Sequence, residues 1–397
     1  MIRHDDALAI VLEHTPTLEA VDVDIVEAEG AVLAEDVASD VDLPPFDKSA
    51  MDGYAVRAAD VASTPVELDV IEEIRAGVAP TKRIEAGTCA KIMTGAPVPA
   101  GADAVVMVEN TEPASGGRVR IVRADPAHAD ICARGEDVAR GATVLEAGHP
   151  VRRQEVGLLA SVGRRRVRVH RRPSVAVLAT GDELVDIEET PGPGQIRDAN
   201  SWSLLASCRR AGVTADHLGV ARDTEADLRA KIAEGLRRDV LLVSGGVSMG
   251  DWDLVPGIFR EAGVTTHFET VAMKPGKPTV FATRGRRVIF GLPGNPVSTL
   301  VAFRLFVWPA VRKMMGHPLP SPPPLAAMLV SPLRVGGRRT RFAPVTLRWE
   351  DAGYVAEPVP THGSADLVAF CRANALAVLE PGAHEAGSRV PAVTLDL

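Results

Sequence analysis

The sequence predicts a multidomain chain of class α/β plus β-rich modules, with a doubly wound parallel core, and three observations carry that expectation. From residue 173, apolar strand-like runs alternate with helical stretches, the order that builds a mostly parallel sheet covered on both faces. Between about 20 and 150 the texture is short alternating runs such as VDVDIVEAEG, GTCAKIMTG and DAVVMVENT, separated by frequent Gly and Pro. The proline-rich stretch PLPSPPP (318–324) then reads as a linker to a second β-rich segment, 325–397.

Each element follows from its local pattern. Residues 4–14 form a short amphipathic helix, and VRRQEVGLLASVG in 150–172 is helix-compatible before the alternating VRVHRR. SVAVLAT is a buried strand, and SWSLLASCRRAG is a helix ended by Gly212. VTADHLGV is the next strand, followed by the helix TEADLRAKIAEGLRR with Asp223 or Thr224 as N-cap. DVLLVSGG is a third strand, and RRVIFGLPGN feeds a long helix opening at Pro296, the first-turn position that proline favours. Arg304 and Pro309 break that apolar helix, which is too short to span a bilayer.

Composition excludes several classes. A chain of 397 residues is long enough for more than one domain and a sizeable core. Its net charge of −8 argues against a general nucleic-acid binder, and the Arg runs at 164–168 and 171–172 read as a solvated face. Four scattered cysteines without a CxxC give neither a zinc site nor a disulfide framework. The opening MIRHDDALAIVLEH carries acids where a signal peptide needs an apolar core. The expectation is a soluble, cytoplasmic protein that binds neither membrane nor nucleic acid.

The chemistry concentrates between Asp239 and Ser298. Three Gly/Pro-rich loops there follow apolar runs: DVLLVSGGVSMGDWD, VAMKPGKPTVFA and VIFGLPGNPVS. Lys274 and Lys277 fall in one of them, and the rest of the chain has only five other lysines. Ligands of doubly wound sheets bind beyond the carboxyl ends of the strands. TGDE, SGGVSMGDWD and GLPGNP all belong at that edge. Glycines, ammonium groups and the carboxylates Asp182, Glu183, Asp251 and Asp253 together suit a ligand rich in anionic oxygen, held with a divalent cation.

Other readings stand beside this one. GVSMG (246–250) matches a nucleophile elbow with Ser248 as nucleophile, but no HGGG-type loop precedes it, and a Gly-rich turn also accounts for it. KPGK is not a Walker A, because Pro278 stands where Ser or Thr should bind magnesium. Its lysines are either an oxyanion clamp or two solvated turn residues. No histidine pair has metal-ligand spacing. LPPFDKSAMDGYA (43–55) is a turn-rich entry to a strand, with Asp52-Gly53 as a turn pair.

LPPFDKSAMDGYA, IMTGAPVP (92–99), ARGEDV (133–138), ATGDELV (179–185), SGGVSMGDWD, KPGKP and GLPGNPVS occur in one order. In that order the chain resembles the MoeA-type molybdopterin molybdenumtransferases, also found as the E domains of gephyrin and the plant molybdate insertase. The resemblance covers nearly the whole chain and is weakest at 56–85 and 320–360. It implies an elongated, partly helical domain I (1–22 and 138–172) and a β-rich domain II (23–137). It further implies a MogA-like α/β domain III (173–318) and a small β-barrel domain IV (325–397).

The implied reaction joins molybdate to adenylylated molybdopterin with Mg2+, releasing AMP. The implied assembly is a homodimer with a shared cleft, with a MogA-type adenylyltransferase and molybdoenzyme chaperones as partners. A non-catalytic dimeric scaffold of the same fold is the alternative. Carried over by motif, the catalytic positions are Asp52, Thr94, Asp137, Glu183, Asp223 and Asp253. Ser244, Gly245, Gly246, Ser248, Pro293, Gly294, Asn295 and Pro296 would bind the molybdopterin phosphate. Lys274, Lys277, Ser298 and Ser364 would bind molybdate, and Glu183 and Asp253 would bind Mg2+, with Asp52 and Asp137 as further candidates. One departure is visible: where relatives carry an Arg early in domain IV, RRTRFAPVTL has Pro344, leaving Arg339 or Arg341 as substitutes.

Overall fold

The computed structural model describes residues 1–124, 127–246, 255–351 and 353–395. It divides into two compact units, one of Met1–Ala34, Gly148–Arg153 and Arg166–Leu397, the other of Glu35–Ala147 and Gln154–Arg165.

In the first unit the alternation runs β1 (Val175–Thr180), α1 (Ala199–Arg210), β2 (Ala215–Ala221), α2 (Glu225–Gly235), β3 (Val240–Ser244), α3 (Val255–Glu261). It continues with β4 (Thr265–Phe268), β5 (Val280–Arg284), β6 (Arg287–Leu292) and α4 (Pro296–Ala302). The sheet order is β2-β1-β3-β6-β5-β4. The first three pairings are parallel and the last two antiparallel.

Successive strand residues point to opposite faces, so a strand covered by helices on both sides must be apolar throughout. Val175, Val177, Leu242 and Phe290 join Leu204 of α1 and Val301 of α4 in one core. Ala176, Leu178, Leu241 and Ile289 join Leu228 of α2 and Phe259 of α3 in another. Fully buried Phe281, Phe290 and Phe306 each contribute roughly 1.5–3 kcal/mol of burial. The doubly wound expectation therefore holds, with an antiparallel hairpin added at the β5–β6 edge.

The apolar helix after β6 corrects the reading of its sequence. Arg304 and Pro309 do not break it: α4 passes into a π-helical turn, Phe303–Val307, and continues as Trp308–Met314. Pro309 has no N–H for the carbonyl one α-turn earlier, and the wider turn before it accommodates that loss.

Beyond the linker, Thr340–Glu350 pairs with both Gly353–Pro358 and Ala375–Leu379. The circuit closes through Leu325–Leu329 and Arg389–Thr394, giving a five-stranded barrel. Met273–Lys274 adds a two-residue parallel ladder to it, Lys274 opposite Arg341. That ladder ties the KPGK loop to the barrel.

The second unit is β-rich, as expected. Its main sheet orders Ala104–Met107, Gly53–Val56, Thr88–Ile92, Val66–Ile74, Arg118–Ile121 and Thr111–Pro113. Gly53 is not the turn glycine its neighbour suggested. It lies within a strand, and a Cβ there would meet the Val106 carbonyl oxygen at 2.0 Å. Gly53→Ala is expected to cost about 1–3 kcal/mol through overpacking, seen as a lower urea midpoint. An unchanged midpoint would refute that close approach.

Two further expectations meet the structure here. The four cysteines are free, and burial pushes the Cys89 and Cys208 thiols up to about 12. The arginine runs are not uniformly solvated: Arg171 clamps Asp239 with Nη1 at 2.6 Å and Nη2 at 2.9 Å.

Candidate functional site

The carboxyl ends of β1, β3 and β6 open onto a cavity of about 850 Å³. Thr180, Ser244 and Gly245 form one wall and Pro293, Gly294, Asn295, Val297 and Ser298 another, while Pro296 does not line it. The glycines at the end of β3 are required by space as well as conformation. Gly245 has φ +88°, and a Cβ there would lie 2.5 Å from the Thr180 carbonyl oxygen. Gly246 has φ +62°, and a Cβ there would lie 2.5 Å from Thr180 Oγ1.

Asn200, in the first turn of α1, holds the two loops together. Its Nδ2 donates to Ser244 Oγ at 2.8 Å and to the Gly294 carbonyl at 2.7 Å. Its Oδ1, like Thr180 Oγ1, is buried without a hydrogen-bond partner among the described residues. Buried polar atoms of that kind are normally satisfied, so both suit a ligand's polar groups. The sequence reading missed Asn200, which lies two residues after the N-cap Asp198, whose carboxylate accepts from Ser201 N at 3.0 Å.

The opposite side of the cavity is basic. Lys274, Lys277, Arg339 and Arg341 all line it. Lys274 and Lys277 are exposed and make no ion pair among the described residues. Arg339 reaches the Met273 carbonyl at 3.4 Å. Gly276 between the lysines has φ +101°, and the Gly276 carbonyl accepts from Thr279 Oγ1 at 2.7 Å, which fixes the turn. Ser298 is buried in the first turn of α4, and Ser364 Oγ accepts from Asn295 Nδ2 at 2.9 Å. The Ser364 carbonyl in turn accepts the Val297 N–H at 3.1 Å.

Two carboxylates line the cavity, and they differ. Asp366 caps a short helix: its oxygens accept from Ala369 N at 3.0 Å and His362 N at 3.1 Å. Those two backbone hydrogen bonds lower its pKa. Glu183 accepts no such bonds among the described residues. Its carboxylate lies against the Gly181 α-carbon, where a Cβ would come within 2.4 Å of Oε2. Four cationic side chains thus share the cavity lining with a single uncommitted carboxylate, an excess of positive charge that favours an anionic ligand.

The remaining candidates are placed differently. Asp182 accepts the Asp223 N–H at 3.2 Å, and neither residue lines the cavity. Thr224 rather than Asp223 is the N-cap of α2. Ser248, Asp251 and Asp253 lie outside the described residues. In the second unit, Thr94 N and Oγ1 both donate to Asp52 Oδ1 at 2.7 Å, and these hydrogen bonds lower the Asp52 pKa. The pair meets because Gly53 is opposite Ile92 in the ladder. Asp137 sits in the same unit, its N–H bonded to the Leu43 carbonyl at 2.9 Å. Among the described residues, no group of three or more His, Cys, Asp or Glu could hold a metal.

Fold and cavity together define a multidomain protein whose doubly wound domain and barrel line one cavity with a basic side. Comparison with known proteins makes the class specific. Residues 2–163 match the MoeA N-terminal region (domains I and II), 176–313 a probable molybdopterin binding domain, and 326–395 the MoeA C-terminal region (domain IV). A molybdopterin molybdenumtransferase from Nostoc is 35% identical, covering 95% of this chain and 89% of its own. Molybdopterin molybdenumtransferase 1 of Mycobacterium tuberculosis is 36% identical, covering 91% of each chain. The crystal structure of the MoeA molybdopterin biosynthesis protein of Pyrococcus horikoshii superposes with a TM-score of 0.85 at 28% identity, covering 99% of this chain and 100% of that one. The chain belongs to the MoeA family. Neither the hydrolase reading of GVSMG nor the scaffold reading gains support from these matches.

Proposed function

We propose that this chain is a molybdopterin molybdenumtransferase that inserts molybdate into adenylylated molybdopterin. Its membership of the MoeA family places it in molybdenum cofactor biosynthesis. The observation that carries the finer reading is the convergence of Lys274, Lys277, Arg339 and Arg341 with Ser298 and Ser364 on one cavity. A tetrahedral metal oxyanion needs charge and hydroxyl donors from several directions, and these residues supply both. Arg339 and Arg341 take the place of the arginine that Pro344 displaces.

The pterin phosphate belongs at the Gly245-Gly246 loop and the α4 N-terminus, where backbone N–H groups and the helix dipole favour anions. Asn200 holds those two loops in register. Glu183 is the available carboxylate for Mg2+, which commonly binds through one or two carboxylates plus substrate phosphates. Bound there, the ion would neutralise charge at the pyrophosphate. Attack by water or a molybdate oxygen at the molybdopterin phosphorus breaks its bond to the bridging oxygen; the molybdopterin phosphate keeps the attacking oxygen, and AMP leaves with the bridging one. Single-turnover release of AMP, dependent on molybdate, tests this. AMP release that ignores molybdate at every concentration would reject it.

The same proposal includes the four-domain partition, a cytoplasmic location, and delivery of substrate by a MogA-type adenylyltransferase. It also includes a homodimer in which Asp52, Thr94 and Asp137 of a second copy complete the site. Mixing an Asp52→Ala chain with a Lys274→Ala/Lys277→Ala chain is then expected to restore activity absent from either alone. Refolded mixtures that stay inactive, although both parents are dimeric by sedimentation, would exclude the shared site.

A further inference from the structure

A second cavity, of about 400 Å³, lies where α1, the π-helical turn and the C-terminal strand end meet. Its walls are apolar and aromatic, with Leu300, Phe303, Trp308, Phe370 and Leu395. Two cations, Arg210 and Arg304, line it, and among the described residues no carboxylate side chain does.

Arg304 is the more informative of the two. It sits within the π-helical turn, a departure from α geometry that is frequent at functional sites. Its Cζ lies 4.3 Å from the centroid of the Trp308 ring, and its Nε donates to the Thr394 carbonyl at 2.7 Å. Its two Nη groups donate to nothing among the described residues. Arg312, 4.7 Å from the same ring, has instead committed its donors to the carbonyls of Pro320 and Leu319. Burial, and secondarily the nearby Arg312, lowers the Arg304 pKa to about 10, which leaves it charged at neutral pH. Among the described residues this buried charge has no counter-ion, which is costly, and an anion entering the cavity would offset that cost.

We infer that this cavity binds a small organic carboxylate with an aromatic or branched apolar body. With Nε occupied, Arg304 presents its two Nη groups, which match a planar carboxylate. Ser207, the lining hydroxyl, is spent on the Ser203 carbonyl at 2.7 Å. A hydrated dianion such as phosphate would find mostly apolar wall around the two guanidinium groups. The apolar walls take the body of the ligand, and the Trp308 ring orients the guanidinium that takes its head.

Isothermal titration of the full-length protein with phenylacetate tests the inference. Saturable one-site binding is expected, weakened roughly tenfold or more in Arg304→Met, the loss expected for a charge-assisted contact. Ala206→Trp, which fills the cavity from the exposed face of α1 and leaves Arg304 intact, is expected to weaken it as much at an unchanged melting temperature. No binding to the wild type at 10 mM ligand would overturn the site (about 10 mM is already below 3 kcal/mol of affinity). Equal binding in both variants would overturn it too. Equal binding of neutral phenylacetamide would overturn carboxylate recognition, and Arg304-dependent binding of inorganic phosphate as strong as that of phenylacetate would overturn the ligand class.

Discussion

Lys274→Ala/Lys277→Ala is expected to lower molybdate-dependent turnover of adenylylated molybdopterin by about a thousandfold while leaving the fold intact. A hydrogen bond to a charged group contributes roughly 1.5–3 kcal/mol, which is about tenfold to a hundredfold per lysine. The two flank one turn and face one cavity, so their effects should not be simply additive. Arg339 and Arg341 remain and keep part of the field. Stability should change little, because both side chains are exposed and pair with nothing among the described residues. If the lysines act mainly on bound molybdate, the apparent molybdate affinity falls; if they act as charge develops at phosphorus, kcat falls at saturating molybdate. Turnover within threefold of wild type at subsaturating molybdate would remove the lysines from the site and with them the present assignment of the cavity.

Why that cavity was only half legible follows from how its residues are connected. Within the α/β domain the signals are local. Apolar runs such as VAVLAT and VLLVS mark strands, and glycines or Pro296 mark the turns after them, so the edge carrying Ser244, Gly245, Pro293 and Ser298 could be placed from spacing alone. The barrel's contribution is not local. Lys274 reaches Arg341 through a ladder of two residues, and Ser364 reaches Asn295 across 69 positions. Nothing in the composition of either segment announces the other.

Other features were hidden because the residue type permitted a commoner reading. Gly53 follows an Asp and looked like a turn, yet it serves a close strand approach. Asn200 lay outside the helix read as SWSLLASCRRAG, yet it bridges two loops. The family resemblance supplied Ser364 and Asp52, for which periodicity offered no signal at all.

Asp239→Ala is expected to destabilise the chain by about 3 kcal/mol, the low end for breaking a partly buried ion pair. The carboxylate sits one residue before β3 and receives four hydrogen bonds. Arg171 supplies Nη1 and Nη2, and Ser174 supplies N at 2.8 Å and Oγ at 2.7 Å. Burial alone would push this carboxyl up; the hydrogen bonds from Arg171 and Ser174 together outweigh it and hold it down at about 2, against an ordinary 3.8. A folded-state pKa below the unfolded one means the ionised form stabilises the fold. That contribution, on the order of 2 kcal/mol, is fully present above about pH 4 and disappears as pH falls through 2. The stability gap between wild type and Asp239→Ala should therefore narrow between pH 5 and pH 2, by urea unfolding at each pH. A gap that stays constant across that window would mean the ion pair is not what the variant removes. The loss also bears on the site. Ser174 and Asp239 fasten the amino ends of β1 and β3, whose carboxyl ends carry Thr180 and Ser244. Slippage at this clamp would shift the Gly245-Gly246 loop along with the strands. Arg171→Ala should reproduce much of the loss, and the double variant should cost clearly less than the sum of the two, because each single change already breaks the same clamp.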